Sequence, residues 1–410
     1  MRSVCCGAAF RHQQEQQHAT FTEECLTFPP KLKVGPKPRV IKPTIGKYAN
    51  IEVPSGYLGN VNVNALQLGS GNIGLLTVVP GLPGQQSIYV KIIDAQQNRL
   101  DAANITYPLS YLASLPFATV NIQELKANAV IINNLKPKPN KTPEEKQKLT
   151  RALAYNCKVD ALFNMCNYIE FIQKKIGLNN VVDGNVLIAI VNVPKFDNAF
   201  FTGSYIVFGN GNTMFYPLVT LDICGHELGH AIVQKYAKLI YQGHSGALNE
   251  STSDVFGQQF EEFSYEKYNK DGNPNNNLKG VPDWDMGEDC GKSIRILRNM
   301  KDPTDCPYPQ PKIYRGQYWA DPNSQDDDGG VHQNSGCANG LFYQITTMIG
   351  KEASLNLWVQ TLKTLPKNCS YIQFRDLLKA MAAKQNVLPQ VQQKLNEVGL
   401  TDAAVSDWKQ

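Results

Sequence analysis

Residues 221–257 read LDICGHELGHAIVQKYAKLIYQGHSGALNESTSDVFG. His226 and His230 are four apart. On a helix they lie on one face, about 6 Å apart along the axis, and can aim two imidazoles at one ion. Glu227 stands one residue on from the first of them, beside that ion without ligating it, where it can take a proton from metal-bound water. The competing reading is a polar stripe on a helix. With six histidines in the chain, a chance HExxH is an event on the order of one in a few hundred. A tetrahedral catalytic zinc needs a third protein ligand and leaves one position open. The HExxHxxGxxH pattern is excluded, because the required Gly and His positions hold Val233 and Tyr236. The chain instead offers Glu250 and Asp254 downstream, again four apart on a helix, so that Glu250 can ligate while Asp254 reaches the back of a histidine.

The surrounding chain has room for such a site. Its 410 residues suffice for two lobes with ample core. A composition of 42% hydrophobic and 19% charged residues is that of a globular protein rather than a disordered or collagen-like one. The net charge of +4 is small and scattered, which gives no argument for nucleic acid. The longest apolar run, VLIAIVNV at 186–193, is too short to span a bilayer, and no membrane role is expected. The ten cysteines form no CxxC pairs, so a cysteine zinc site is not expected. Their even number and the sequons at Asn104, Asn140 and Asn368 are compatible with secretion. The first residues contain no apolar core of a signal peptide.

Residues 1–46 read as an extension or linker, rich in Cys, Gln and Pro. From 47 to 135, short Val, Ile and Tyr runs broken by Gly, Pro and Asn read as strands and turns. Thr142, Pro143 and Glu144 open a helix that runs to Gly177. VLIAIVNV and FFTGSYIVFG read as strands, and beyond 220 the pattern is mainly helical, with polar loops at 271–280 and 321–330. The expected division is therefore 1–46, a β-rich N-terminal lobe at 47–223 with an inserted helical segment, and a helical lobe at 224–410.

The stretch 226–257 closely resembles the thermolysin family of zinc endopeptidases, whose pattern is HExxH, a loop ending in IYQ, then GA-[IL]-NE-x-x-SD. The resemblance implies an α+β fold with two lobes, the cleft between them floored by the helix of His226 to about Leu239. It implies His226, His230 and Glu250 as ligands of one catalytic Zn²⁺, Glu227 as general base and Asp254 as the residue that orients a ligand. LRNMKDP and DDGGVHQNSG also match the family. They nominate Arg298 as support for the substrate carbonyl, and His332, held by Asp327, as hydrogen-bond donor to the oxyanion, a task shared with Tyr241. FDNAFFTGSYIVFG resembles the family's edge strand, so Asn198 and the backbone of Ala199 would bind an extended peptide. Phe215, Leu218, Ile223 and Leu297 fall where the family's primary specificity pocket lies, which implies a bulky hydrophobic residue just after the cut bond. Asp222, Glu261, Asp283, Asp285 and Glu288 recur where the family holds a pair of Ca²⁺ ions. The segment after Asp289 is too short for the family's further calcium loop.

The expectation is thus a secreted, monomeric zinc endopeptidase acting on peptides or proteins. Neither the family's signal peptide nor its long propeptide is visible in the first 46 residues. An exopeptidase is the alternative within the class, disfavoured because no GAMEN-type strand precedes HELGH. A metal-binding, non-catalytic interaction module is the alternative outside it, and such a module would not be expected to keep both Glu227 and His332.

Overall fold

The computed structural model describes residues 47–100, 107–182, 184–269, 278 and 281–409. The extension expected at 1–46 and nearly all of the 271–280 loop lie outside the described residues. Buried Val61, Val63 and Ala65 alternate with exposed Asn60, Asn62 and Asn64, the two-residue period of a half-buried antiparallel strand. That strand belongs to a four-stranded antiparallel sheet of β1 (Tyr48–Pro54), β2 (Asn60–Gly69), β3 (Asn72–Gly74) and β6 (Thr119–Asn121), in that order.

A second, mixed sheet runs in the order β4 (Leu76–Val79), β5 (Ile88–Asp94), β7 (Val186–Val193), β9 (Ile206–Gly209) and β8 (Ala199–Phe201). Its central strands β5, β7 and β9 are parallel, and they are nearly continuous apolar runs because both faces are covered. β8 pairs antiparallel with β9 and forms one edge. A short antiparallel ribbon pairs β10 (Asp285–Met286) with β11 (Arg298–Asn299).

The 47–135 stretch is not all strand and turn. It contains α1 (Leu109–Ser114) and α2 (Ile122–Leu135). Asn121 Oδ1 caps α2 by accepting from the N–H of Gln123 and Glu124 at 2.9 and 3.3 Å. The Val and Ile within that stretch favour a strand reading, but the cap and the one-sided burial of Leu125 and Ile132 decide for helix.

The helix expected from Thr142 is α3 (Pro143–Lys175), opened by a full capping box between Thr142 and Glu145. It is buried along most of its length, and a polar stripe at Asn156, Asp160 and Asn164 serves the loops around it. Asn156 donates to Pro54, Ser55 and Leu125 carbonyls, Asp160 accepts from the N–H of Gly56 and Tyr57, and Asn164 donates to Val219 O at 3.1 Å. Val219 stands just before α4 (Leu221–Tyr236), so α3 fixes where the HELGH helix begins.

The expected lobe boundary between 223 and 224 falls inside α4, since the composition changes where the chain enters that helix rather than where it leaves it. The rest is helical: α5 (Gly243–Asn269), α6 (Asp327–Ile349), α7 (Lys351–Leu362), α8 (Tyr371–Lys384) and α9 (Leu388–Glu397). The loop expected at 321–330 ends in a left-handed turn over 327–330, after which α6 continues with regular helical geometry. One continuous apolar cluster joins residues of both regions. Among the described residues every cysteine, namely Cys157, Cys166, Cys224, Cys290, Cys306, Cys337 and Cys369, is a free thiol.

Candidate active site

α4 and α5 pack very closely. A Cβ on Gly225 would lie 2.8 Å from Gly257 Cα, and one on Gly229 would lie 2.8 Å from Ser253 Cα. Only glycine permits this approach, and it draws α5 up to the two histidines. His226 Nε2 and His230 Nε2 are 3.1 Å apart, and Glu250 lies 3.6 Å from the first and 3.4 Å from the second. Among the described residues, this trio is the group of three or more His, Cys, Asp or Glu whose ligand atoms all lie within 4.8 Å of one another.

Each imidazole is oriented from behind. His226 Nδ1 contacts Asp254 Oδ1 at 2.7 Å, and His230 Nδ1 contacts Asn249 Oδ1 and Ser253 Oγ, both at 2.9 Å. With Nδ1 donating to these oxygens, the two Nε2 lone pairs face the shared point. Burial lowers His230 to about 4, which keeps its ring neutral as a ligand must be. Glu250 Oε2 is buried and accepts no hydrogen bond. An orphaned carboxylate oxygen beside two imidazole nitrogens is a donor set suited to zinc.

Glu227 is 5% exposed, and burial pushes its carboxyl up to about 7, partly offset by His226 and Arg298. It accepts from the N–H of Phe201. Gly209 N donates to Asn198 O at 2.9 Å, so residues 198 and 209 form a hydrogen-bonded pair. By the alternation of an antiparallel ladder, the polar backbone groups of Ala199 and Phe201 then point to the open edge. Ala199 N–H is taken by its neighbour Asn198 Oδ1 at 2.9 Å, and the Ala199 carbonyl points to the open edge.

On the far side of the trio, Tyr241 OH donates to Glu250 and contacts His332 Nε2 at 3.1 Å. His332 Nε2 lies 3.6 Å from Glu250, while its Nδ1 contacts Asp327 at 2.6 Å. Asp327 also accepts from the N–H of His332 and Gln333 at 2.9 and 3.2 Å. It does so from a left-handed turn, Asp327 to Gly330, of which two members carry side chains, with φ of 51° and 48°. Left-handed backbone at non-glycine residues costs on the order of 1 kcal/mol each, and such strain is characteristic of functional sites. Burial would lower His332, but Glu250 and Asp327 outweigh it and raise it to about 9. Tyr241 is raised well above its usual range by burial and then by Glu250. Both groups are therefore protonated donors near neutral pH.

Arg298 is 3% exposed and donates to Asp254 Oδ1 at 2.7 Å, the oxygen that also holds His226. It supports the ligand sphere from within. Phe215, Leu218, Ile223 and Leu297 are all buried. In the second acidic group burial raises the carboxyls of Asp222, Glu261, Asp283 and Glu288; the charge of Asp289, which the family pattern does not nominate, adds to all four, and Asp222 and Asp283 add to Glu261 and Glu288. Asp285 instead turns its carboxylate to Arg295 at 3.1 Å. Sequence reasoning also missed Asn249, Ser253, Phe201 and Asn339, whose Nδ2 donates to Asp254 Oδ2 at 2.8 Å. Asn249 and Ser253 were findable, since they stand three or four residues from Asp254 or Glu250 or beside them on one helix. The others come from remote segments.

Two histidines and a glutamate converging on one point, with a buried carboxyl beside them and protonated donors opposite, are the parts of a metallopeptidase. Family models for the thermolysin metallopeptidase catalytic domain and for its α-helical domain match residues 103–234 and 237–400, dividing the chain where α4 ends. The neutral protease NprE of Bacillus pumilus is 32% identical over 251 residues, 60% of this chain and 73% of that protein. Bacillolysin of Bacillus subtilis (strain 168) is also 32% identical over 251 residues, again 60% of this chain, but the match spans only 42% of that protein. Among solved structures, the precursor of protealysin, a metalloproteinase from Serratia proteamaculans, aligns with a TM-score of 0.55 at 24% identity, over 79% of this chain and 90% of that one, a likeness of fold. The chain belongs to the thermolysin metallopeptidase family.

Proposed function

We propose that the protein is a zinc endopeptidase that cuts internal peptide bonds on the amino side of bulky hydrophobic residues. The observation that carries this reading is the orphaned Glu250 Oε2 beside the two histidine Nε2 atoms, with Glu227 one residue from the first ligand. His226, His230 and Glu250 would hold the ion, which when bound supplies Lewis acidity for the water and the scissile carbonyl. Glu227, held toward the cleft by Phe201 N–H, takes the proton of the attacking water and passes it to the leaving amine. Tyr241 OH and His332 Nε2–H donate to the oxyanion as it forms, from positions already 3.1 Å apart.

The substrate would add as a strand along the open edge of β8, meeting Asn198 and the Ala199 carbonyl. Phe215, Leu218, Ile223 and Leu297 give the site its apolar side, and Asp222, Glu261, Asp283, Glu288 and Asp289 would hold calcium. Glu227→Ala tests the reading. Cleavage of an internally quenched peptide is expected to fall by about 10³-fold with zinc content unchanged. Undiminished cleavage at full zinc content overturns it.

A further inference from the structure

We propose that Asp407 and Trp408 are positioning residues that clamp together the two segments bearing Tyr241 and His332; the kinetic consequence rests on the endopeptidase reading above. The two donors come from distant parts of the chain. Tyr241 stands two residues before α5, and His332 follows the left-handed turn that opens α6. Their segments meet glycine against glycine. A Cβ on Gly329 would lie 3.0 Å from Gly243 Cα, and the Pro322 carbonyl faces both residues. Gly243 has φ of +50° and also abuts Trp408, whose Nε1 would lie 2.6 Å from a Cβ placed there.

Asp407, the residue before Trp408 in the chain, is held by Tyr314, Trp319 and His244. Its carboxylate accepts from Tyr314 OH at 2.9 Å and Trp319 Nε1 at 3.0 Å, and its Oδ1 lies 2.9 Å from His244 Nε2. Asn323 donates to Asp407 O at 3.0 Å and accepts from Lys409 N–H at 2.9 Å. His244, fully buried and next to Gly243, is ringed by Tyr314, Trp319, Tyr371 and Trp408 at centroid distances of 5.3 to 5.9 Å. One residue beyond Trp319, Ala320 exchanges two hydrogen bonds with Asn334 of α6, at 2.9 and 3.0 Å. Asp407 and Trp408 therefore touch the Tyr241 segment directly and the His332 helix through 319–320.

The neighbouring Asp402, Ala403, Val405 and Ser406 are exposed, so this stretch buries chiefly the side chains that reach the clamp. None of its contacts reaches the zinc trio or the β8 edge. Its loss should disturb the oxyanion donors and leave metal and substrate binding largely intact, a difference that shows in kcat rather than KM.

The experiment uses the full zinc-loaded chain with Asp407→Ala, Trp408→Ala and Trp408→Phe. Asp402→Ala, which removes an exposed partner of Lys379, serves as control. Cleavage of an internally quenched peptide and hydrogen exchange at the His332 and Gln333 amides are both measured. The two alanine variants at 407 and 408 are expected to lose kcat by about tenfold or more, because a misplaced donor costs this much, with KM within about twofold. Exchange at the two amides should quicken by about tenfold. Trp408→Phe should restore most of both, and Asp402→Ala should change neither. If Asp407→Ala lowers the folded fraction, Asp407→Asn, which keeps one acceptor, is read by the same criteria. Unaltered amide exchange, or a rise in KM alone, overturns the clamp. Quickened exchange in a protein whose parent cuts no peptide leaves the clamp standing and sinks the endopeptidase reading.

Discussion

In the mechanism we propose, Glu227 and His332 set opposite limits on activity. Glu227 must be deprotonated to act as base, so the rate rises with pH through its titration. Burial, partly offset by His226 and Arg298, brings it to about 7, and a cation beside it pulls it lower, so the acid limb of kcat/KM should lie between about 4.5 and 7. His332 must be protonated to donate, so the rate falls as pH rises through a value at or below about 9. A pH profile of His332→Ala should lose the alkaline limb along with on the order of 10²-fold in kcat; an alkaline limb that persists unchanged assigns it elsewhere. Asp254 bears on the metal instead. Its Oδ1 serves both His226 and Arg298, and Asp254→Asn should weaken zinc by about 10- to 100-fold in competition with a chelating dye. His226 with His230, and Glu250 with Asp254, were legible as candidates from local spacing, four residues on one helix face, whereas His332 was nominated by the family resemblance alone. Arg298 shows the limit of that reading: its motif placed it at the site, but not its bond, which depends on β11 lying against α5.

Elements divide in the same way. β7 and α3 follow directly from their apolar runs and capping signals, and the structure has them within two residues of expectation. α2 was hidden because its Val and Ile suit a strand, and its Asn121 cap is a single residue. The close seating of α4 on α5 is invisible to periodicity, since Gly225 and Gly229 announce nothing until Gly257 and Ser253 face them. The polar stripe of α3 is equally silent, and its middle member is testable. Burial pushes Asp160 up to about 6 from its usual 3.8. The folded state then holds a proton that the unfolded chain has released, so the contribution is full below about 3.8 and is lost as pH rises through 6, by on the order of 3 kcal/mol. In urea unfolding, Asp160→Asn should lack this loss, so that wild-type stability relative to the variant declines from pH 4 to pH 7. A constant difference across that range removes Asp160 as the source.

At the scale of the whole molecule the second acidic group matters most, because it joins α4, α5 and the β10 region. Burial and mutual repulsion raise Asp222 to about 6, Glu288 to about 10, and Glu261 well above its ordinary range. In the cation-free protein each of these carboxyls is protonated when folded and ionised when unfolded between about pH 4 and its own raised value, which is about 6 for Asp222 and about 10 for Glu288. Their stabilising effect is therefore present below about pH 4 and drains away as pH rises toward 10. A bound divalent cation reverses the sign. It takes the place of the protons, so binding releases them and tightens with pH. Calcium should accordingly raise Tm more at pH 8 than at pH 5. The gain at one hundred times Kd is about 2.7 kcal/mol, read with zinc kept in place and a calcium-selective chelator as the reference state. Glu288→Gln removes one charge and one ligand together, and should narrow the gap between the calcium-loaded and chelated proteins at pH 8. A Tm at pH 8 that ignores calcium would mean that protons alone hold this cluster together, and that the two regions are joined by burial without an ion.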